Sequence, residues 1–424
     1  MSSAGMRATL LVAFAAASAG ALPNYAATGA AFAEPDQIHD LDIEITLGKV
    51  IVQTAQATLT TRALNGTIPG STVYVSAGET LRVNFHNNLP GQPNANVAHN
   101  EYQTPGTSNL HWHGAHTSPA APGDDSKLVV GPGESYQYEV TFPDDHMPGT
   151  HWMHPHHHGS TALQVGGGAA MAFIVKDPPG YLPADIASAK DVLWVIQQFD
   201  VEELQDIAAA SGDGLFAATN VAANYFLTVN GMTQPVITLA PYEWQRWRLI
   251  FAGWMGANPL GFTLPEHCEM QLLAKDGIYI QDYPRKVTKA EVPLGGRADV
   301  MVRCTPPSDM ATYGGEVFAR GPNGADIPLA RVEVRGTPQA DTDLTAWDPP
   351  TLPGYLQDLQ DTPATEGCSC AVDLGGGTVN DQAYVDEAMH TAFLGAVVER
   401  ELTGVGAHPY HQHIQPFQIV ATGG

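Results

Sequence analysis

The chain has 424 residues, enough for two or three ordinary domains, with 44% hydrophobic and 15% charged residues, 43 Gly and 32 Pro. That composition excludes a disordered polypeptide and suits many short strands joined by turns better than long helices. The formal net charge of −25 repels phosphate backbones and so argues against nucleic acid as a partner.

The first predicted element is a targeting segment. Arg7 precedes an apolar run from Ala8 to Ala17, and Ala17-Ser18-Ala19 offers a small-x-small cleavage site. The run is too short for a membrane span, and no later stretch reaches the roughly 18–20 apolar residues a transmembrane helix needs. Residues 1–33 are therefore read as signal peptide and leader, with the cleavage position left open by the small apolar residues up to Ala33. A secreted or extracytoplasmic protein with no membrane span is expected. Export permits disulfides. The four cysteines, Cys268, Cys304, Cys368 and Cys370, allow three pairings. Cys268–Cys304 is the expected pair, because both fall in one predicted domain. Cys368 and Cys370, in "CSC", are read as free thiols or a partial disulfide.

Three segments follow with a shared pattern. Residues 34–178 hold alternating strands such as "TVYVSAGETLRVNFHNNL", punctuated by "LNGTIPG" and "GPGES". Residues 179–336 repeat the design in "YFLTVNGMTQPVITLAPYEWQRWRLIFAG", after a short helix expected near "VEELQDIAAA". Residues 337–424 hold a weaker copy, "TVNDQAYVDEAMHTAFLGAVVEREL". Linkers are expected at 176–185 and 336–358, both rich in Pro and Asp. The pattern implies all-β, tandem Greek-key β-sandwiches rather than a solenoid.

Most of the 17 histidines fall in three clusters: "NLHWHGAH", "GTHWMHPHHHGS" and "HPYHQH". Each contains His-x-His. In a strand, residues two apart share a face, about 6.6 Å apart along the backbone. The pairs His111/His113, His154/His156 and His411/His413 then offer six imidazoles, more than the four ligands of a usual structural zinc. Neutral imidazole suits copper, zinc, iron and nickel. One such pair is as well explained by polar strand residues; three in one protein favour more than one metal ion. His151 and His157 fall on the opposite strand face and are read as solvated or supporting, and His158 and His116 as supporting. His408, displaced from His411 by Pro409-Tyr410, is suited to a separate ion nearby.

From about residue 40 onward these motifs resemble the multicopper oxidases, a family that includes laccases and bilirubin oxidases. The resemblance rests on "LNGTIPG", "NLHWHG", "PGTHWMHPHHHGS" and "HPYHQH" in that order. It implies cupredoxin-like domains in a three-domain form. It also implies copper, with type 2 ligands His111 and His411, type 3 ligands His113, His154, His156 and His413, and His408 for the blue type 1 site. The implied activity is oxidation of a phenol, aromatic amine, pigment or metal ion, with dioxygen reduced to water. An acidic proton relay after the first motif is expected at Asp124, in "PGDDSK", where a turn-forming Asp-Asp is an equal alternative.

The sequence departs from the family at one point. The family closes with a further His-Cys-His motif, whose thiolate belongs to the blue site. No such tripeptide occurs in the 424 residues. The third domain is therefore expected to be incomplete, through truncation at the C-terminal end. The type 2 and type 3 ligands are then largely present and the type 1 site is incomplete. Two other functions stay open: a copper-binding protein without oxidase turnover, and a zinc hydrolase. The hydrolase is weakened because no Glu or Asp stands at motif spacing beside three His.

Overall fold

The structure, a computed structural model, describes residues 24–25, 28–91, 100–256, 259–307, 312–320, 325–349, 352–384, 390–406 and 409–422. Period-two burial builds it. In Asp42–Thr54 the apolar side chains Ile43, Ile45 and Leu47 alternate inward with outward polar residues. That strand sits in a sheet ordered Ala217–Thr219, Thr58–Leu64, Asp42–Thr54, Thr80–Asn87, Ser135–Thr141. Facing it is a sheet ordered Gln37–Ile38, Thr72–Val75, Met171–Val175, Gly149–His154, His111–His113. Between them Leu47, Val73, Phe85, Trp112, Tyr138 and Phe173 are fully buried. Each of these residues contributes on the order of 1.5–3 kcal/mol by leaving water.

A second sandwich repeats the plan. Its first sheet runs Tyr225–Val229, Lys190–Asp200, Gln245–Ala252, Arg297–Cys304, Cys268–Lys275, Ile278–Tyr279. Its second runs Val236–Leu239, Asp326–Val334, Tyr313–Arg320, Leu260–Thr263, Ala290–Val292. Trp194, Trp247, Phe262 and Val300 fill the space between. The expected disulfide forms, joining Cys268 to Cys304 directly across paired strands, while Cys368 and Cys370 are free thiols. The expected helix spans Val201–Ser211, capped where Asp200 accepts from the Glu203 amide and ended by left-handed Gly212.

The third segment is slighter. Among the described residues it holds a sheet ordered Thr378–Val379, Ser369–Gly375, Glu399–Thr403. A left-handed two-residue turn recurs in all three segments: Asn65-Gly66, Asn230-Gly231 and Asn380-Asp381 all have positive φ. In the second and third copies the turn closes a hairpin bridge, Val229 to Met232 and Val379 to Gln382.

The sandwiches are interlocked. Ala217–Thr219 leaves the second segment to pair with Thr58–Leu64 of the first. Phe32, in the segment read as leader, packs its ring 5.0 Å from Trp194 and bonds through its amide to Val236. The two bodies approach closely at paired glycines: a Cβ on Gly149 would lie 2.4 Å from the Gly277 carbonyl oxygen. No described helix is long and apolar enough to cross a membrane.

Candidate metal centre

His111–His113 is the edge strand of its sheet, paired with Gly149–His154 so that His111 faces His154 and His113 faces Trp152. Trp112 turns into the core, which sends the two imidazoles out together on the other face. His154 ends the neighbouring strand. Pro155, with no N–H to offer a ladder, stops it there. His156 therefore does not share a strand face with His154, as its spacing suggested. Its amide bonds instead to Asn109 Oδ1 at 2.7 Å, and its ring still lies 5.6 Å from that of His154. His411 and His413 also lie outside any strand, on a bent segment, with ring centroids 4.9 Å apart.

The three motifs nevertheless meet. His413 stacks on His111 and His411 on His113, each at 4.0 Å between centroids. His156 lies 4.7 Å from His413 and 5.0 Å from His111. Donor atoms of His111, His113 and His154 lie within 4.8 Å of one another, and so do those of His111, His411 and His413. His408 lies outside the described residues.

The hydrogen bonds set the tautomers. His111 Nδ1 donates to Asp124 Oδ1 at 2.8 Å, and the Trp112 amide donates to the same oxygen at 3.3 Å. His111 Nε2 is left as a buried lone pair with no partner among the described residues. Such an orphan costs on the order of 1–3 kcal/mol, which a cation would offset. His154 Nδ1 donates to the Pro155 carbonyl, so its Nε2, 3.2 Å from His113 Nδ1, is an acceptor. A carboxylate behind a histidine, with the far nitrogen bare, is the usual support of a metal-bound imidazole. The donor set fits a soft or borderline transition metal such as copper.

Electrostatics keep these rings neutral. Burial, and then the neighbouring imidazoles, push His111 and His113 well below the usual histidine range, and His154 likewise. Burial of their inner sides holds His411 to about 3 and His413 to about 4, although His411 keeps one edge exposed. Their lone pairs are open to a metal at neutral pH. Burial raises the Asp124 carboxyl to about 6, and its Oδ2 has no partner among the described residues.

Sequence reasoning missed the wall behind the cluster. Trp152 stacks on His154 at 4.1 Å and donates its indole N–H to the Gly295 carbonyl of the second sandwich. Gly295, at φ +73°, lies so close that a Cβ would stand 2.8 Å from His113 Cε1. Arg297 donates to the Thr150 carbonyl at 3.2 Å, and Arg248 to the Thr150 hydroxyl at 3.0 Å. Gly295, Arg297 and Arg248 belong to no histidine motif, so spacing could not reveal them, and although Trp152 and Thr150 lie inside the second motif, its spacing does not mark their contacts. His151 is the other surprise: it is buried rather than solvated, stacked on Phe173 at 5.0 Å, and neither ring nitrogen has a partner among the described residues. His157 Nδ1 is buried in the same way, while His158 stacks on Tyr384 and accepts from the Asn100 amide.

Known proteins resemble this chain in sequence and in fold. A multicopper oxidase family model matches residues 46–180. The iron transport multicopper oxidase FET3 of Gibberella zeae is 27% identical over 228 residues, 52% of this chain and 32% of that one. Laccase-12 of Arabidopsis thaliana is 27% identical over 268 residues, 59% of this chain and 41% of that one. The chain thus spans about a third to two fifths of the length of these relatives. Among solved structures, a laccase from Pediococcus acidilactici superposes with a TM-score of 0.59 at 18% identity, covering 87% of this chain and 75% of that one. McoA multicopper oxidase from Aquifex aeolicus gives 0.58 at 18%, covering 84% and 75%. These structural likenesses speak to the cupredoxin-like fold alone. The chain is thus similar to the multicopper oxidases in sequence over residues 46–180 and in fold over most of its length.

Proposed function

We propose that the protein is a copper-dependent oxidoreductase that takes electrons from a phenol, aromatic amine, pigment or metal ion and reduces dioxygen to water. The observation that carries this reading is the convergence of His111, His113, His154, His156, His411 and His413 around the bare Nε2 of His111. The assignment keeps His111 and His411 for the type 2 copper, His113, His154, His156 and His413 for the type 3 pair, and His408 for type 1. Bound copper supplies one-electron redox chemistry. The protein's own part is to present neutral imidazoles, orient them and handle protons. Asp124 orients His111 through Nδ1, and its second oxygen can hold a proton beside the cluster. In the metal-free protein burial raises that carboxyl to about 6, and cupric ions beside it would draw it lower.

The domain units are placed at 34–178, 179–336 and 337–424. The segment 1–33, read as signal and leader, supports an extracytoplasmic location. A second reading is copper binding by the 424-residue chain without oxidase turnover, since none of its four cysteines stands in a His-Cys-His. One experiment separates the two. The protein is loaded with copper, bound metal is counted, and dioxygen uptake is followed with a phenolic reductant. Bound copper with uptake supports the oxidase; bound copper without uptake supports the second reading; a protein that takes up no copper refutes both. Either way, the loaded protein should lack the intense blue of a copper–thiolate centre.

A further inference from the structure

His411 and His413 reach the cluster on a segment with no strand to hold it. The residue after them is held in an unusual shape. Ile414 has φ +67°, in the left-handed region that β-branched residues avoid. Across it the Gln415 amide donates to the His413 carbonyl at 2.7 Å, closing a γ-turn of the rare, strained hand. Such a turn persists only where its surroundings hold it.

The restraint comes from the first motif. His116, three residues beyond His113, donates from Nδ1 to the Ile414 carbonyl at 3.0 Å, joining positions 298 apart in sequence. His116 is itself fixed on two sides. Its amide donates to His146 Nε2 at 3.0 Å, and His146 holds the matching tautomer because its Nδ1 donates to the Met147 carbonyl at 2.8 Å. Its ring stacks on Tyr355 at 3.8 Å and 17°. The Tyr355 hydroxyl accepts from the Met147 amide at 2.8 Å, closing a ring of contacts through His146, His116, Tyr355 and Met147. The strap that bears Tyr355 also grips the segment further on, where the Leu359 amide donates to Gln418 Oε1 and the Gln418 side-chain amide donates to Asp358 Oδ1.

We propose that His116 is a positioning residue: a latch that holds the Ile414 turn and thereby aims His411 and His413 at His111 and His113. The latch touches no metal. It acts through one hydrogen bond on the ligand segment, and the stack on Tyr355 keeps the imidazole pointed at that bond. Its role in metal affinity rests on the copper reading above, whereas its hold on the turn does not.

Two variants separate the donor from the ring. His116→Phe keeps an aromatic face for Tyr355 and removes the donor. His116→Asn removes the ring and restores an amide N–H near the Nδ1 position. Amide hydrogen exchange is measured in the metal-free 424-residue chain, and copper affinity by competition with a chelator. In His116→Phe the Gln415 amide should exchange about 10-fold faster while Trp112, in the first-motif strand, is unchanged. Copper should bind roughly 10–100-fold more weakly, the usual cost of losing a ligand's support. The paramagnetic resonance spectrum of bound cupric ion should change with it. His116→Asn should restore both the exchange rate and the spectrum. Parent-like exchange and affinity in His116→Phe, or equal loss in both variants, overturns the latch. A parent protein that binds no copper sinks the copper reading alone, and the Gln415 exchange rate then decides the latch.

Discussion

Asp124 shows how one buried carboxylate ties stability to binding. Its side chain has almost no contact with water, and burial lifts its carboxyl from the ordinary range to about 6. A carboxyl raised in the folded state favours folding while protonated, and that advantage fades as pH climbs through the folded value. For the metal-free protein at neutral pH, the ionised group therefore costs up to roughly 3 kcal/mol. Asp124→Asn keeps an oxygen for His111 Nδ1 and removes the charge. The metal-free variant should be as stable as the parent at neutral pH or more so, yet bind copper roughly 10–100-fold more weakly. Urea unfolding and chelator competition read the two effects separately, and a variant weaker in stability but unchanged in affinity would refute this account. The turn-forming alternative for Asp-Asp also has a real counterpart: the neighbouring Asp125 accepts from the Lys127 amide at 2.9 Å. Sequence could place the pair near the first motif. Only the fold could show that one member turns inward and the other outward.

Strand Gly149–His154 carries the second motif and is pressed against the second sandwich along its length. At Gly149 the fit is close enough that any side group would meet the Gly277 backbone. Gly149→Ala should cost about 1–3 kcal/mol, because backbone rather than a flexible side group must yield. It should also weaken copper binding, since displacing the strand displaces His154. An alanine variant with the parent's urea midpoint would show that the contact is looser than described. At this scale the sequence was partly legible. The period-two reading holds for His111 and His113, which lie in a strand. It fails for His154 and His156 because Pro155 ends the strand between them, and for His411 and His413 because their segment bends. The imidazoles meet all the same, since tertiary packing supplies what local periodicity did not. The recurrent left-handed turn is marked by Asn-Gly in the first two segments, whereas Asn380-Asp381 carries it in the third without a glycine. The Gly295 and Arg297 wall was not legible, because packing between sandwiches leaves no periodic mark.

Across the whole molecule, buried neutral histidines make the metal-free fold acid-sensitive. His146 is buried and its ring is held down to about 4. The unfolded state binds its proton near the ordinary 6.5, so stability is intact above that value and is lost as pH falls toward about 4. His413, held to about 4, and His411, held to about 3, act in the same direction. The urea midpoint of the metal-free protein should therefore drop through this window, by less than the histidines alone would give because Asp124 acts in the opposite direction. Bound copper should defer the drop to lower pH, because protons must displace the metal before they reach the ligand nitrogens. A midpoint flat across the window would show that these rings are open to water. The broad architecture of paired sheets was readable from strand rhythm and turn spacing. The interlocking was not: the pairing of Ala217–Thr219 with Thr58–Leu64 depends on a strand that passes from one body to the other.

The bond from His116 to Ile414 spans 298 positions, and the cluster beside it is equally non-local. During synthesis the first two motifs leave the ribosome well before the third. His111, His113, His154 and His156 can be in place while most of the second sandwich is still to be made. A metal ion arriving early would meet a half-walled site without the His411 and His413 side. One arriving late would meet a closed one. The order in which copper and the last motif arrive is thus a kinetic choice, and copper supplied during folding need not yield the same product as copper added afterwards.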